Sequence, residues 1–317
     1  MSTATEYRRS QRTAQVRRRR RALLAIVLGT FAGIAGAFYV LRPSGTPLAP
    51  LLSSQSAVDQ AAAAAAASAK DGAAAADAVE QRGWSIGQFA TQVPASEGIS
   101  AGAPTAGLVA LTFDDGPGPN TYDVLALLRK YKMHATFFII GMKVAATPGA
   151  MAQAVAEGHV VGNHTWTHAS LPSLKPAILK QELRDTTEVI RKETGHNVTL
   201  QRPPFGDFTA ATNRVDHSLG MLPVLWSVDS ADWSAKDSQT VVSNVLNSPA
   251  LGPGAIILLH DGGGDRSITV NALPAILDGL VARGLRSVTI PELLRTGPPK
   301  TSKEGDYKLS EYAVPSQ

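Results

Sequence analysis

Five short clusters in this chain combine residue types that can do chemistry. Asp114-Asp115 places two adjacent carboxylates at the end of an apolar, β-prone run, residues 108–113, and just before a Gly116-Pro117 turn. Side by side the two acids repel, so a cation, a shared proton or an arginine must compensate. A solvated turn would carry the same residues, so the pair gains meaning only from its company. His164 and His168 stand four apart. In a helical turn both rings face one way and can share a metal. With Asp115 they would make a two-histidine, one-carboxylate set that leaves positions open for water and substrate. Two surface histidines on a turn are the plain alternative. The other clusters are Arg202-Pro203-Pro204-Phe205-Gly206, Asp229-Ser230-Ala231-Asp232-Trp233 and His260-Asp261. His134, His159, His196 and His217 have no such context and read as structural or solvated.

The elements that must hold these clusters begin at about Gly107. Short apolar or β-branched runs predict strands over residues 109–113, 135–140, 159–162, 223–228, 255–260 and 286–290. Amphipathic patterns predict helices over 122–131, 148–157, 176–194, 240–247, 270–283 and 291–295, with Glu182/Arg184 and Glu188/Lys192 on the wet face of the longest. Alternating strands and helices imply an α/β fold with a parallel sheet, open or closed into a barrel. In such folds chemistry collects where the strands end, and the polar clusters follow strand ends one after another. Gly262 to Gly264 lacks the Lys-Ser/Thr of a phosphate-binding loop and reads as a flexible rim.

The 317 residues are 44% hydrophobic and 18% charged, enough for a real core and too apolar for a wholly disordered chain. The absence of cysteine excludes disulfides, thiolate zinc sites and cysteine nucleophiles. The net charge of +4 misleads, because eight arginines against Glu6 make the first 21 residues +7 and leave the rest at −3. The basic balance describes this tail and gives no reason to expect a nucleic-acid partner. Residues 22–41 carry no charge, long enough in helix to span a bilayer, and the arginines before them would stay cytoplasmic. The expected arrangement is therefore a basic segment (1–21), a transmembrane signal-anchor (22–41), an Ala/Pro/Ser-rich linker (42–106), a catalytic domain (107–297) outside the cytoplasm and a disordered tail (298–317). Secretion after cleavage near Ala35-Gly36-Ala37 is the alternative. Oligomeric state is not readable.

Taken together, Thr112-Phe113-Asp114-Asp115-Gly116, His164-Thr165 with His168, Arg202-Pro203-Pro204-Phe205-Gly206, Asp229 with Asp232-Trp233, and Leu258-Leu259-His260-Asp261 resemble the five motifs of the NodB-type polysaccharide deacetylases, carbohydrate esterase family 4. They stand in that family's order. The resemblance implies a distorted (β/α) barrel and a divalent metal, most often zinc, with cobalt, nickel or manganese as substitutes, on Asp115, His164 and His168. It further implies Asp114 as catalytic base, His260 as catalytic acid, Arg202 orienting the base and Asp229 partnering the acid. The backbone amide of Phe205 would match the oxyanion donor, and Trp233 and Leu258 would line the pocket for the acetyl methyl. The family commonly has Tyr where this chain has Phe205. The implied substrate is an N-acetylated glycan. Export and a long tether favour peptidoglycan, at GlcNAc or MurNAc, over chitin-like oligomers.

Other functions fit less well. Iron(II) oxygenases use the same facial triad, but generally on an antiparallel fold with the carboxylate close to the first histidine. A non-catalytic glycan-binding module would be expected to have lost a motif residue, and none is missing. A metal-dependent amidase acting on another acyl group stays open on the sequence.

Overall fold

The computed structural model describes residues 93–104 and 107–306. The predicted basic segment and membrane span lie outside these residues, as does most of the predicted linker. Among the described residues no helix is long and apolar enough to cross a membrane.

The chain runs through β1 (Glu97–Ala101), β2 (Leu108–Gly116), α1 (Thr121–Tyr131), β3 (Ala135–Ile139), α2 (Ala150–Ala156), β4 (Val160–Asn163) and α3 (Pro176–Thr194). It continues with β5 (Leu200–Gln201), α4 (Ala210–Ser218), β6 (Leu222–Pro223), β7 (Val228–Asp229), α5 (Ser238–Leu246), β8 (Ile256–His260), α6 (Ser267–Ala282), β9 (Arg286–Ser287), α7 (Ile290–Leu294) and β10 (Lys300–Lys303). The strands of the main sheet pair in parallel in the order β6-β5-β4-β3-β2-β8-β7, with β9 added on β2. β6 and β7 are therefore edges. The sheet is a curled half-barrel, not a closed barrel.

Strand alternation sorts side chains into two cores. On β2, Val109, Leu111 and Phe113 face the helices, where Val124, Leu128, Leu183, Ile190, Leu273 and Ile276 bury against the sheet. Ala110 faces the concave side, packed with Phe138, Leu200, Leu222, Val224, Ile256 and Leu258. Asp114 therefore falls on the concave face, two steps beyond Thr112. His260 falls there too, two steps beyond Leu258. β2 and β8 pair with Asp114 directly opposite His260. Two chemical groups thus meet because a period of two and a parallel register leave them no other place.

The domain is larger than 107–297. β1 pairs antiparallel with β10, Glu97 opposite Lys303, so one strand comes from the predicted linker and one from the predicted tail. β1 also bridges Ile99 to Val224 and Ala101 to Ala255, lying across the gap between β6 and β8. Neither strand has enough apolar residues to announce itself; each is made by its partner.

Candidate active site

The cluster of Asp115, His164 and His168 is built by turns. After Asp114 the backbone of Asp115 enters the left-handed region (φ 67°). Thr165, His168, Phe205 and Ala231 do the same at φ 66°, 64°, 63° and 49°. Such non-glycine residues cost energy and gather where a site demands them. Residues 164–168 form an irregular turn, not the helical turn expected from the four-residue spacing. It is held from below. Asn163 Oδ1 accepts from Thr165 N–H at 2.8 Å, and Thr165 Oγ1 accepts from His168 N–H at 3.0 Å. Glu182, expected on the wet face of α3, instead accepts from the N–H groups of Trp166 and Thr167 at 2.9 and 2.8 Å. Two turn amides without intrahelical partners are better donors to it than a solvated side chain.

Asp115 Oδ1 lies 3.5 Å from His164 Nε2 and 3.2 Å from His168 Nε2. One donor atom from each of the three residues falls within 4.8 Å of the others. Asp115 Oδ1 is buried and has no hydrogen-bond partner. His164 Nδ1 lies 2.7 Å from the Arg202 carbonyl, which must accept from it, so Nε2 offers its lone pair to the cluster. Burial holds both histidines down, to about 4 in each case, and therefore neutral at neutral pH. Burial pushes the Asp115 carboxyl up, but His260, His168, His164 and Lys143 together bring it to about 2. Two neutral imidazoles and one carboxylate aimed at a common point, with an orphaned oxygen among them, is a donor set that fits a divalent cation.

Asp114 is buried beside this cluster, with Oδ2 3.8 Å from His164 Nε2. The fully buried Arg202 donates to its Oδ1 at 2.8 Å. The same guanidinium donates to Thr112 Oγ1 (2.7 Å) and to the carbonyls of Val224 (3.2 Å) and Leu225 (2.9 Å), and it lies over the Phe138 ring at 4.3 Å. Burial raises the Asp114 carboxyl to about 6 against the opposing pull of Arg202 and His260. It is poised near neutrality, as a general base should be.

His260 differs from the expectation in one respect. Its Nδ1 donates to Asp232 Oδ1 at 2.7 Å, and its backbone N–H donates to Asp232 Oδ2 at 2.8 Å. The partner of the acid is Asp232, not Asp229. Asp229 ends β7, and its carboxylate accepts from the Ala231 N–H at 2.8 Å. The left-handed Ala231 then turns the chain so that Asp232 is carried inward. Burial alone would lower His260, but the charge and hydrogen bond of Asp232 raise it to about 9.

Phe205 sits in a short 3-10 turn, its ring edge-on to His168 at 4.6 Å. Leu258 is buried on the concave face, two residues before His260. Trp233 follows Asp232 and, with Asp229, lines a polar cleft of about 600 Å³ against Asn244 and Asn247 of α5. Thus Asp114, Asp115, His164, His168, Arg202 and His260 converge, Phe205 borders them, and Asp229 and Trp233 face a neighbouring cleft. The start of the 262–264 rim packs on Asp115, because a Cβ on Gly262 would strike the Asp115 carbonyl and one on Gly263 the Asp115 carboxylate, whereas one on Gly264 would meet open space. Arg266 ties it down by donating to the Gly262 carbonyl at 2.6 Å. Sequence reasoning also passed over Lys143, whose Nζ donates to the Asp115 carbonyl at 3.1 Å. A lone lysine after a strand gives no signal.

Comparisons with known proteins point to one family. Residues 101–224 match the polysaccharide deacetylase family model. A peptidoglycan-N-acetylglucosamine deacetylase of Bacillus cereus is 41% identical over 191 residues, 59% of this chain and 88% of that one. A chitooligosaccharide deacetylase of Bradyrhizobium sp. is 39% identical, covering 58% of this chain and 90% of that one. A solved peptidoglycan N-acetylglucosamine deacetylase, in complex with 4-naphthalen-1-yl-N-oxidanyl-benzamide, superposes with a TM-score of 0.59 at 32% identity, over 63% of this chain and 94% of that one. The half-barrel and its rim thus define a deacetylase of carbohydrate esterase family 4 type, a metal-dependent class of hydrolase. The chain belongs to the polysaccharide deacetylase family.

Proposed function

We propose that this protein removes N-acetyl groups from peptidoglycan, at GlcNAc or MurNAc, outside the cytoplasm and from a membrane anchor at residues 22–41. The observation that carries the chemistry is the facing pair: Asp114 beside Arg202 and the Asp115/His164/His168 cluster, and His260 with Asp232 on the next strand. Asp115, His164 and His168 would hold the divalent ion, and two imidazoles with one carboxylate favour zinc. When bound, that ion supplies Lewis acidity to the attacking water and to the acetyl carbonyl.

The chain's own residues do the rest. Asp114 takes the proton from water as the oxygen bonds to the carbonyl carbon. Arg202 keeps that carboxylate charged and aimed. The Phe205 backbone N–H donates to the oxyanion, a contribution of about 3 kcal/mol for one such donor. His260, held protonated by Asp232, passes its Nε2 proton to the amide nitrogen as the C–N bond breaks, leaving acetate and a free amine. Leu258, buried on the concave face two residues before His260, is assigned to the acetyl methyl.

The proposed location outside the cytoplasm, and the similarity to peptidoglycan deacetylases, favour a cell-envelope glycan. The similarity to a chitooligosaccharide deacetylase supports chitin-like oligomers as the second reading. Mass spectrometry of peptidoglycan fragments and chitooligosaccharides, incubated with the protein with zinc or with chelator, tests both. Zinc-dependent loss of an acetyl mass from peptidoglycan sugars is expected. Loss from chitooligosaccharides alone would replace the first reading with the second.

A further inference from the structure

Asp232 has a third donor, from an element outside all five motifs. Thr269, in the first turn of α6, is fully buried, and its hydroxyl donates to Asp232 Oδ2 at 2.7 Å. A threonine in a helix ordinarily turns its hydroxyl to a carbonyl of its own helix or to solvent. This one points sideways into the rim. The three contacts divide the carboxylate cleanly. Oδ2 receives Thr269 and the His260 backbone N–H, and Oδ1 is left to the His260 ring alone. With only the two His260 contacts, the carboxylate could rotate about its Cβ–Cγ bond and exchange its oxygens. The hydroxyl fixes one rotamer, because a carboxylate only accepts and the threonine must therefore donate to it.

We propose that Thr269 is a positioning residue for the general acid: it locks the Asp232 carboxylate, and through it the His260 ring, in the orientation that delivers a proton to the leaving nitrogen. The inference rests on the deacetylase reading above and concerns only its second half. The first half, attack of water assisted by Asp114 and the metal ligands, does not involve Thr269.

That division supplies the test. An acetamide cannot expel its amine unprotonated, whereas an aryl acetate releases a phenolate that needs no acid. In the full-length zinc-loaded protein, T269V is expected to lower kcat on an N-acetylated glycan fragment by about 10- to 100-fold, the range that one hydrogen bond to a charged group represents. KM on that substrate should stay unchanged, and kcat on 4-nitrophenyl acetate should fall by less than about threefold. T269S, which restores the hydroxyl, should recover the acetamide rate. T269A removes the hydroxyl without adding a branch and carries the same expectation should the valine variant fold poorly. Independently of turnover, the Nδ1 proton of His260 should move upfield in the NMR spectrum of T269A and return in T269S. Equal losses on acetamide and ester, or an unchanged acetamide rate, would overturn the proposal. A wild-type protein active on the ester and on no acetamide would instead refute the deacetylase reading.

Discussion

Arg202 is the largest fully buried side chain of the domain and carries a full charge. Replacing it by methionine keeps length and apolar packing but removes the donors to Asp114, Thr112, Val224 and Leu225. Removing one partner of a buried ion pair costs about 3–5 kcal/mol. Each acceptor left without a donor adds up to about 1–3 kcal/mol, though such terms do not sum fully. We expect a loss of about 5 kcal/mol. At about 2–4 °C per kcal/mol for a domain of this size, Tm should fall by about 10–20 °C. Activity should fall as well, with a distinct pH signature. The guanidinium holds the Asp114 carboxyl below where burial alone would put it. Without it that pKa rises, the base stays protonated to higher pH, and the acidic limb of the rate profile shifts alkaline. R202K keeps the charge but loses the fork, so it should fall between wild type and R202M in both respects. Thermal melts followed by circular dichroism, with acetate release between pH 5 and 9, measure both effects. An R202M protein melting within about 5 °C of wild type, or an acidic limb that does not move, would refute the reasoning.

Further outcomes follow from the same geometry. D114N should lose at least about a hundredfold in kcat while keeping its metal content by atomic absorption; D115A or H164A should lose the metal itself. D232N should bring the His260 pKa down from about 9, because burial is then opposed only by the charges of Asp115 and Asp114, so that activity lost is greater at pH 8 than at pH 6. D229N should leave that alkaline limb in place. Asp216 of α4 is buried with neither carboxylate oxygen hydrogen-bonded, and burial raises its pKa well above the usual range. The stabilising effect of its neutral form is complete below the unfolded pKa and is lost as pH rises towards the folded one. D216N should therefore be more stable than wild type at pH 8, by about 1–3 kcal/mol, with the margin closing below pH 4 in pH-dependent melts.

The central strands and the helix over 176–194 were legible because long apolar runs and a 3.6-residue period leave few alternatives. Proline at the first turn and Gly195 in a left-handed C-cap fix the ends of that helix. α4 was not legible. The face it buries carries Thr212, Asn213 and Asp216, so its period is written in polar residues that hydropathy does not register. β5, β6, β7 and β9 have two residues each, too few to alternate. In the site, Asp114, Asp115, His164, His168, Arg202 and His260 could be read because residue type and strand end coincide. The choice between Asp229 and Asp232 could not. It depends on a left-handed turn at an alanine, where composition gives no warning.

The pairing of β1 with β10 brings the two ends of the described domain side by side, and β1 lies against both Val224 and Ala255. A soluble fragment cut at residue 107, where the sequence changes texture, would lose this strand. The Leu225 N–H, which donates to Ile99 O at 2.6 Å, would lose its acceptor, and Ile99, now fully buried, would be missing from the concave core. An expression fragment that starts at about residue 93 and ends beyond Lys303 keeps both strands. A load applied at the N-terminal end of the described domain would fall first on β1, the strand that lies across the gap between β6 and β8.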